Sequence, residues 1–335
     1  MDGKVTYLLG AGASKNALPL IKDFPERLDR FMADCIGILS FNPNKEKMIT
    51  QRDVERRKAI ENHRIISDLK WLLENVKKHA SIDTYAKKLF VTGRTEELKK
   101  LKMLLILFFA HEQIKYVDER YDSFIAAIIN EKKKISNSIR IISWNYDYQF
   151  EKAFSEYLEI DKLAIIQEIL NIAPSKNIKN PRKLKDDVFE IVKLNGTTAV
   201  MERENIMEVK NIFEDFSDLP PTSLRAKFEQ FYGNLKIHPL VHFAWESSHI
   251  QDYLAKAEEI AKLTKVLVVI GYSFPFFNRE IDRRIIQSIP DLDRIKIYIQ
   301  DINPENIIDR LSSITKSKNI IPIKDVAQFY LPPEL

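Results

Sequence analysis

Val5-Thr6-Tyr7-Leu8-Leu9-Gly10-Ala11-Gly12-Ala13-Ser14 is a short, mostly apolar run that stops at small residues, and a polar stretch able to open a helix follows it. A strand that ends this way aims backbone N–H groups and a helix N-terminus at an anion such as a pyrophosphate. The dinucleotide fingerprint G-x-G-x-x-G would need a third glycine at position 15, where the chain has Lys15. Taken alone, the stretch reads equally well as a tight strand-to-helix turn with no ligand. Glycine usage shifts that balance. Of the eight glycines, Gly10, Gly12, Gly196 and Gly271 fall just after apolar, strand-like runs, where open parallel sheets place their ligands. Several strand ends are therefore expected to share one crevice.

Further along the chain the same pattern repeats. Ile139 to Ser143 ends in Trp144-Asn145-Tyr146-Asp147, and Phe189 to Leu194 ends in Asn195-Gly196-Thr197-Thr198. Val266 to Ile270 is continuously apolar, as a parallel strand buried on both faces should be, and it ends in Gly271-Tyr272-Ser273. Ile295 to Ile299 leads into Asp301-Ile302-Asn303-Pro304, and Ile320 to Ile323 reads as an edge. Helical stretches over Tyr148 to Tyr157 and Ser248 to Leu263 alternate with these strands. The alternation predicts an α/β fold, a Rossmann-like doubly wound parallel sheet.

One block breaks the alternation. From about residue 45 to 135 there is no proline and no glycine except Gly93, while Ile66, Leu69, Leu72 and Leu73, then Leu98, Leu101, Leu104, Leu105 and Phe108, recur at helical spacing. Residues 1–30 and 137–335 are thus expected to form one discontinuous domain. Residues 31–136 read as a helical insertion, a lid over the crevice or an oligomer surface. Residues 16 to 31 read as loop and short helix punctuated by Pro19 and Pro25, residues 172 to 187 as a basic exposed loop, and 200 to 240 as mixed structure around Pro220-Pro221.

Composition narrows the possibilities. At 335 residues, 45% hydrophobic and 30% charged, the chain has ordinary globular composition. A net charge of +4 supports weak attraction to anions and is no sign of a nucleic-acid groove. The insertion's lysines and arginines interleave with acids as a solvated face does, so direct nucleic-acid binding is not expected. Cys35 alone excludes an intrachain disulfide and any zinc module built from several cysteines, and it fits a reducing, cytoplasmic compartment. The longest apolar run, Met103 to Ala110, is too short to span a bilayer, and no membrane association is expected.

Five strand ends then offer Gly10, Gly12 and Ser14; Asn145 and Asp147; Asn195 and Gly196; Gly271 and Ser273; and Asp301 and Asn303. A carboxylate closing a late strand suits a ribose diol, since it accepts two hydrogen bonds. Asp301 is the candidate, and capping of the helix that follows is an equal alternative.

In this order the residues resemble the sirtuin-like family, and its bacterial branch more closely than the histone deacetylases. Gly10-Ala11-Gly12-Ala13-Ser14, Asn145-Tyr146-Asp147, Lys193-Leu194 followed by Gly196, Gly271-Tyr272-Ser273 and Asp301-Ile302-Asn303 each look like a family block. The resemblance implies NAD as substrate, with Gly10, Ala11, Gly12 and Ser14 at its pyrophosphate, Gly271 and Ser273 alongside, and Asp301 or Asn303 near the adenine ribose. It implies that Asn145 places a water against the anomeric carbon of the nicotinamide ribose, and that Asp147 holds the carboxamide. It further implies an NAD+ glycohydrolase effector of bacterial antiphage defence, switched on by a sensor partner or by ligand-triggered homo-oligomerisation.

The chain departs from the family pattern at two points. Where the family usually has Lys-Leu-His-Gly, this chain has Lys193-Leu194-Asn195-Gly196, and an amide cannot take a proton near neutral pH. Deacylation is then disfavoured, whereas glycosidic hydrolysis, less dependent on that base, is the expected activity, with Asn195 as a ribose contact. His238, His242 and His249 are candidate substitutes for the base. The four-cysteine zinc module of many deacylating sirtuins is also missing from the sequence, so no zinc is expected. The alternative reading is a weak or inactive subunit of a defence complex that binds NAD or ADP-ribose.

Overall fold

The computed structural model describes residues 4–40, 63–175, 188–203, 206–211, 226, 232 and 237–335. Seven strands make one sheet: β1 (Lys4–Leu9), β2 (Ile139–Ser143), β3 (Ile172–Ala173), β4 (Glu190–Lys193), β8 (Thr264–Ile270), β9 (Lys296–Gln300) and β10 (Ile320–Ile323). Their order is β10-β9-β8-β1-β2-β4-β3, and every neighbouring pair is parallel. The chain runs outward from β1 on one side, returns to lay β8 against the other side of β1, and runs outward again. The doubly wound parallel sheet anticipated from the sequence is therefore the observed architecture, with its switch point beside β1.

Period-2 alternation sorts each strand between two helical layers. Val5, Tyr7 and Leu9 of β1 face α5 (Glu119–Ile128), α6 (Gln149–Leu158) and α7 (Leu163–Ile169), in a core that includes Tyr121, Phe124, Phe150 and Phe154. Leu8 faces the opposite layer, α8 (Ser247–Leu263), α9 (Arg279–Gln287) and α10 (Pro304–Leu311), with Leu254, Ala257, Ile285 and Ile307. Thr6 is buried on that second face and is satisfied by the Thr264 hydroxyl at 2.7 Å.

A helical layer joins this sandwich, built from α1 (Phe24–Ser40), α2 (Arg64–Lys78), α3 (Ile82–Val91) and α4 (Thr95–Lys115). Helix α1 begins at Phe24, inside the stretch read as loop and short helix, and runs past its end to Ser40. Pro25 lies in its first turn, where a missing N–H costs nothing. Helix α4 is buried on nearly all sides from Leu101 to Ala110, which explains the longest apolar run without a bilayer. Among the described residues no helix is long and apolar enough to cross a membrane.

Helix α4 packs on a second sheet not anticipated from the sequence, β6-β5-β7, antiparallel, made of β5 (Gly196–Arg203), β6 (Ile206–Asn211) and β7 (Ile237–Val241). The region read as mixed thus supplies a hairpin and its partner strand. Most of the stretch read as a basic loop, 176–187, and Pro220-Pro221 lie outside the described residues.

At the switch point the ends of β1 and β8 touch through backbone alone. A Cβ on Gly12 would lie 2.7 Å from the Gly271 Cα, and one on Gly10 would lie 2.6 Å from the Tyr272 Cα. Gly271 itself has φ +59°, and its Cβ would fall 2.4 Å from the Ala13 nitrogen. Gly271→Ala is therefore expected to cost at least about 2 kcal/mol, combining left-handed strain with overpacking against backbone. Gly37→Ala, inside α1 with nothing within 4 Å of its Cβ, should stabilise by roughly 0.5–1 kcal/mol. Thermal melts of the two variants beside the parent check both signs.

Candidate active site

A cavity of about 520 Å³ opens at the C-terminal ends of β1, β2, β4 and β8. The turn after β1 contributes Ala11 and Ser14, the end of β2 contributes Trp144 to Asp147, the β4–β5 junction contributes Asn195, and the end of β8 contributes Gly271, Tyr272 and Ser273. The opposite wall comes from Leu18, ahead of α1, and from the helical layer, through Phe24, Val76, His79, Asp83 and Phe109 among others. Ligands of open parallel sheets bind in this position.

The polar side chains at the strand ends hold one another. Ser14 Oγ donates to Asp147 Oδ2 at 2.7 Å, and so accepts from the Tyr121 hydroxyl at 2.9 Å. Asn145 Nδ2 donates to the Gly10 carbonyl at 2.9 Å and to Ser14 Oγ at 3.3 Å. Both amide hydrogens of Asn145 are thereby committed, and its carbonyl Oδ1 is the atom left for a ligand. Asp147 Oδ1 accepts the Gln149 N–H at 3.1 Å, and its backbone carbonyl accepts Lys193 Nζ, which is paired with Glu151. Burial raises the Asp147 carboxyl above its ordinary value, against the lowering influence of Lys193, Ser14 and the Gln149 N–H.

Asn195 is oriented from behind in the same way. Its Nδ2 donates to the Trp144 carbonyl at 3.1 Å, and its own backbone carbonyl accepts the His242 N–H at 2.8 Å. Because a carbonyl can only accept, the amide orientation is set. Asn195 Oδ1 is buried without a hydrogen-bond partner on a residue that lines the cavity. A buried acceptor left open is costly unless something donates to it.

The structure brings together most of the residues expected from the sequence. Ala11, Ser14, Asn145, Asp147, Asn195, Gly271 and Ser273 line the cavity, and Gly10 and Gly12 lie behind it in the backbone contact with Gly271. The N–H groups of Gly10, Gly12 and Ala13 are spent on Ile270, Gly271 and Gly10 carbonyls at 3.0, 2.9 and 2.8 Å. Asp301 and Asn303 are not among the lining residues. Asp301 Oδ1 accepts the Asn303 N–H at 2.9 Å, an Asx turn just before α10, and no side chain caps the helix itself. Neither His238 nor His242 lines the cavity, and the His249 side chain lies outside what the structure describes.

Sequence reasoning missed the helical layer's share of the wall. Its histidine is His79, whose Nδ1 donates to the Asn75 carbonyl at 2.7 Å and leaves Nε2 as the basic nitrogen. Helical periodicity identified the buried faces of α2 and α4, but the turn between α2 and α3 carries no periodic signal. Among the described residues no group of three or more His, Cys, Asp or Glu side chains converges as metal ligands would.

A buried carboxyl group lies under the cavity's aromatic floor. Asp282 accepts Trp144 Nε1 at 3.1 Å and the Tyr272 hydroxyl at 2.9 and 2.8 Å, while Tyr272 accepts Asn278 Nδ2 at 3.0 Å. The Trp144 and Tyr272 rings stack 6.0 Å apart. Burial pushes Asp282 up to about 8, only partly opposed by its hydrogen bonds from Tyr272 and Trp144.

No family model matches the chain, and no curated protein matches it. Among solved structures it is similar to Sir2 bound to an acetylated peptide, with 12% identity over 97% of this chain and 88% of that chain, at a TM-score of 0.42. It is also similar to a Sir2–p53 peptide–NAD+ complex, with 12% identity, the same two coverages and a TM-score of 0.39. The assignment of the fold rests on the strand order and register given above.

Since the folded-state value of Asp282, about 8, lies above its ordinary 3.8, the native protein holds a proton that the unfolded chain has already released. Stability should therefore fall as pH rises from about 4 to about 8. Asp282→Asn keeps an acceptor for Trp144 and Tyr272 and removes the ionisation. Melting curves across that window should show a flatter pH dependence for the variant and a higher midpoint than the parent above pH 8.

Proposed function

We propose that the cavity binds NAD+ and that the chain hydrolyses the bond between nicotinamide and ribose, as an effector of bacterial antiphage defence. The reading is carried by one observation: at the sheet's switch point two buried asparagines line the crevice, each with its Nδ2 tied to protein and its carbonyl oxygen without a protein donor. Acceptors held in this way suit a substrate rich in hydroxyl and amide donors, such as a nicotinamide riboside.

Departure of nicotinamide takes the glycosidic electron pair onto the ring nitrogen and leaves an oxocarbenium-like ribose. Water adds to the anomeric carbon, and the products are nicotinamide, ADP-ribose and a proton released to solvent. In this scheme Asn145 Oδ1 orients the water and Asn195 Oδ1 accepts from a ribose hydroxyl. Asp147, fixed by Ser14, accepts from the carboxamide, while Ala11, Ser14, Gly271 and Ser273 flank the rest of the dinucleotide. The chemistry is orientation and electrostatics rather than proton transfer. The missing proton acceptor at position 195 lowers the rate by roughly 100- to 10,000-fold. An enzyme kept silent until a protein partner or self-assembly switches it on tolerates such a loss.

The same absence favours a second reading, a subunit that binds NAD or ADP-ribose without turning it over. Incubation of NAD+ with concentrated protein separates the two: the first gives nicotinamide and ADP-ribose, the second only a raised melting temperature. On the hydrolase reading Asn145→Ala abolishes nicotinamide release with the circular dichroism spectrum unchanged. Unaltered NAD+ loss in that variant would remove the proposed site. Asn195→Ala should instead weaken NAD+ binding about tenfold, seen as a raised KM, because it deletes one ground-state hydrogen bond.

A further inference from the structure

Asp83, in the first turn of α3, brings a carboxylate into the cavity wall from the helical layer. It faces the strand ends closely enough for its charge to act on Tyr146 and Tyr272, both on the far wall. Burial pushes its carboxyl up to about 6, opposed by a hydrogen bond from its own backbone N–H. It is therefore mostly ionised at neutral pH, and it makes no ion pair among the described residues. A partly buried carboxylate on a cavity wall attracts an arriving cation more strongly than one in open water.

The same cavity carries flat aromatic surfaces. Phe109 and Tyr146 stack at 5.9 Å with 28° between their planes, and both line the cavity. The Trp144–Tyr272 stack forms a second aromatic face of the same cavity. Aromatic faces attract cations through the ring quadrupole, and an anion beside them adds a direct charge. Asn195 Oδ1, the open buried acceptor, independently marks the cavity as built for a ligand.

We infer that Asp83, with Tyr146 and Phe109, forms a subsite for a planar organic cation, and that its occupant is the positively charged nicotinamide ring of NAD+. The identity of the occupant rests on the proposed NAD+ reading; the cation subsite itself does not. The consequence is selection by redox state: NAD+ carries the ring charge and NADH does not, so the helical layer distinguishes the two where the strand-end asparagines cannot.

Calorimetric titration with two ligand pairs tests this. NAD+ against NADH tests the subsite within the dinucleotide, and 1-methylnicotinamide against nicotinamide tests it with the bare rings. The parent should bind the charged member of each pair about 10- to 100-fold more tightly, and Asp83→Asn should reduce both ratios to near one. Asp83→Glu, which keeps the charge, should retain the preference, and Asp83→Ser substitutes for the asparagine variant if that one melts early. A parent without preference for the charged ring, or an Asp83→Asn variant that keeps the full preference, overturns the subsite. Failure of both dinucleotides to bind, with an Asp83-dependent preference surviving for 1-methylnicotinamide, overturns the NAD+ reading and leaves the cation subsite standing.

Discussion

The contact on which the site depends is the meeting of two backbones, the turn after β1 and the turn after β8. Gly12 N–H donates to the Gly271 carbonyl and Gly10 N–H to the Ile270 carbonyl, at a separation that any side chain would prevent. This spends the N–H groups that a glycine turn otherwise offers to an anion. The glycines therefore serve first to let two strand ends close on each other. What they leave exposed to the crevice is a set of side chains rather than a backbone cradle.

Those side chains are held from the far side. Arg120, buried and paired with Asp118, donates to the Gly12 and Ala13 carbonyls at 3.1 and 3.0 Å, pinning the turn. Tyr121, the next residue on α5, donates to Ser14, which donates to Asp147. Lys193 ties the backbone at Asp147 to Glu151 on α6. The side-chain donors of Ser14 and Asn145 are consumed by such bonds, so what these two residues leave without a protein partner is acceptor oxygen. Held in this way, the polar atoms need little reorganisation when a ligand arrives, which is the condition for electrostatic catalysis.

The parallel sheet was legible because each of its longer strands is a compact apolar run closed by small or polar residues, and buried parallel strands leave no other signature. The strand-end half of the site followed from the same reading, since strand ends in such sheets converge. Asp301 shows where that logic stops: a strand-end carboxylate serves a ribose or caps a helix, and position alone does not separate the two. The antiparallel sheet was not legible, because its strands carry charged residues, as in Met201-Glu202-Arg203, and lack clean alternation. The helical wall was half legible. Periodicity marks buried faces, but His79 and Asp83 come from the turn and first helical residues between α2 and α3, where lining a cavity is a tertiary fact.

Helix α4 ties that wall to the strand-end segments. Gln113, near the end of α4, accepts the Tyr148 N–H at 2.7 Å and donates to Thr198 Oγ1 at 3.3 Å, and its backbone carbonyl accepts Lys152 Nζ at 2.9 Å. Tyr148 follows Asp147 directly, and Thr198 lies three residues beyond Asn195. Earlier on the helix, Lys102 pairs with Glu246, which also accepts the Phe243 N–H, in the loop after β7. Helix α4, buried over most of its length, is thus bonded both to the segments that follow Asp147 and Asn195 and to the loop after β7, so a displacement of it would break these bonds or move Asp147 and Asn195 with it. A shift of the outer helices would therefore reach the strand ends through α4 and the bonds that it makes to them.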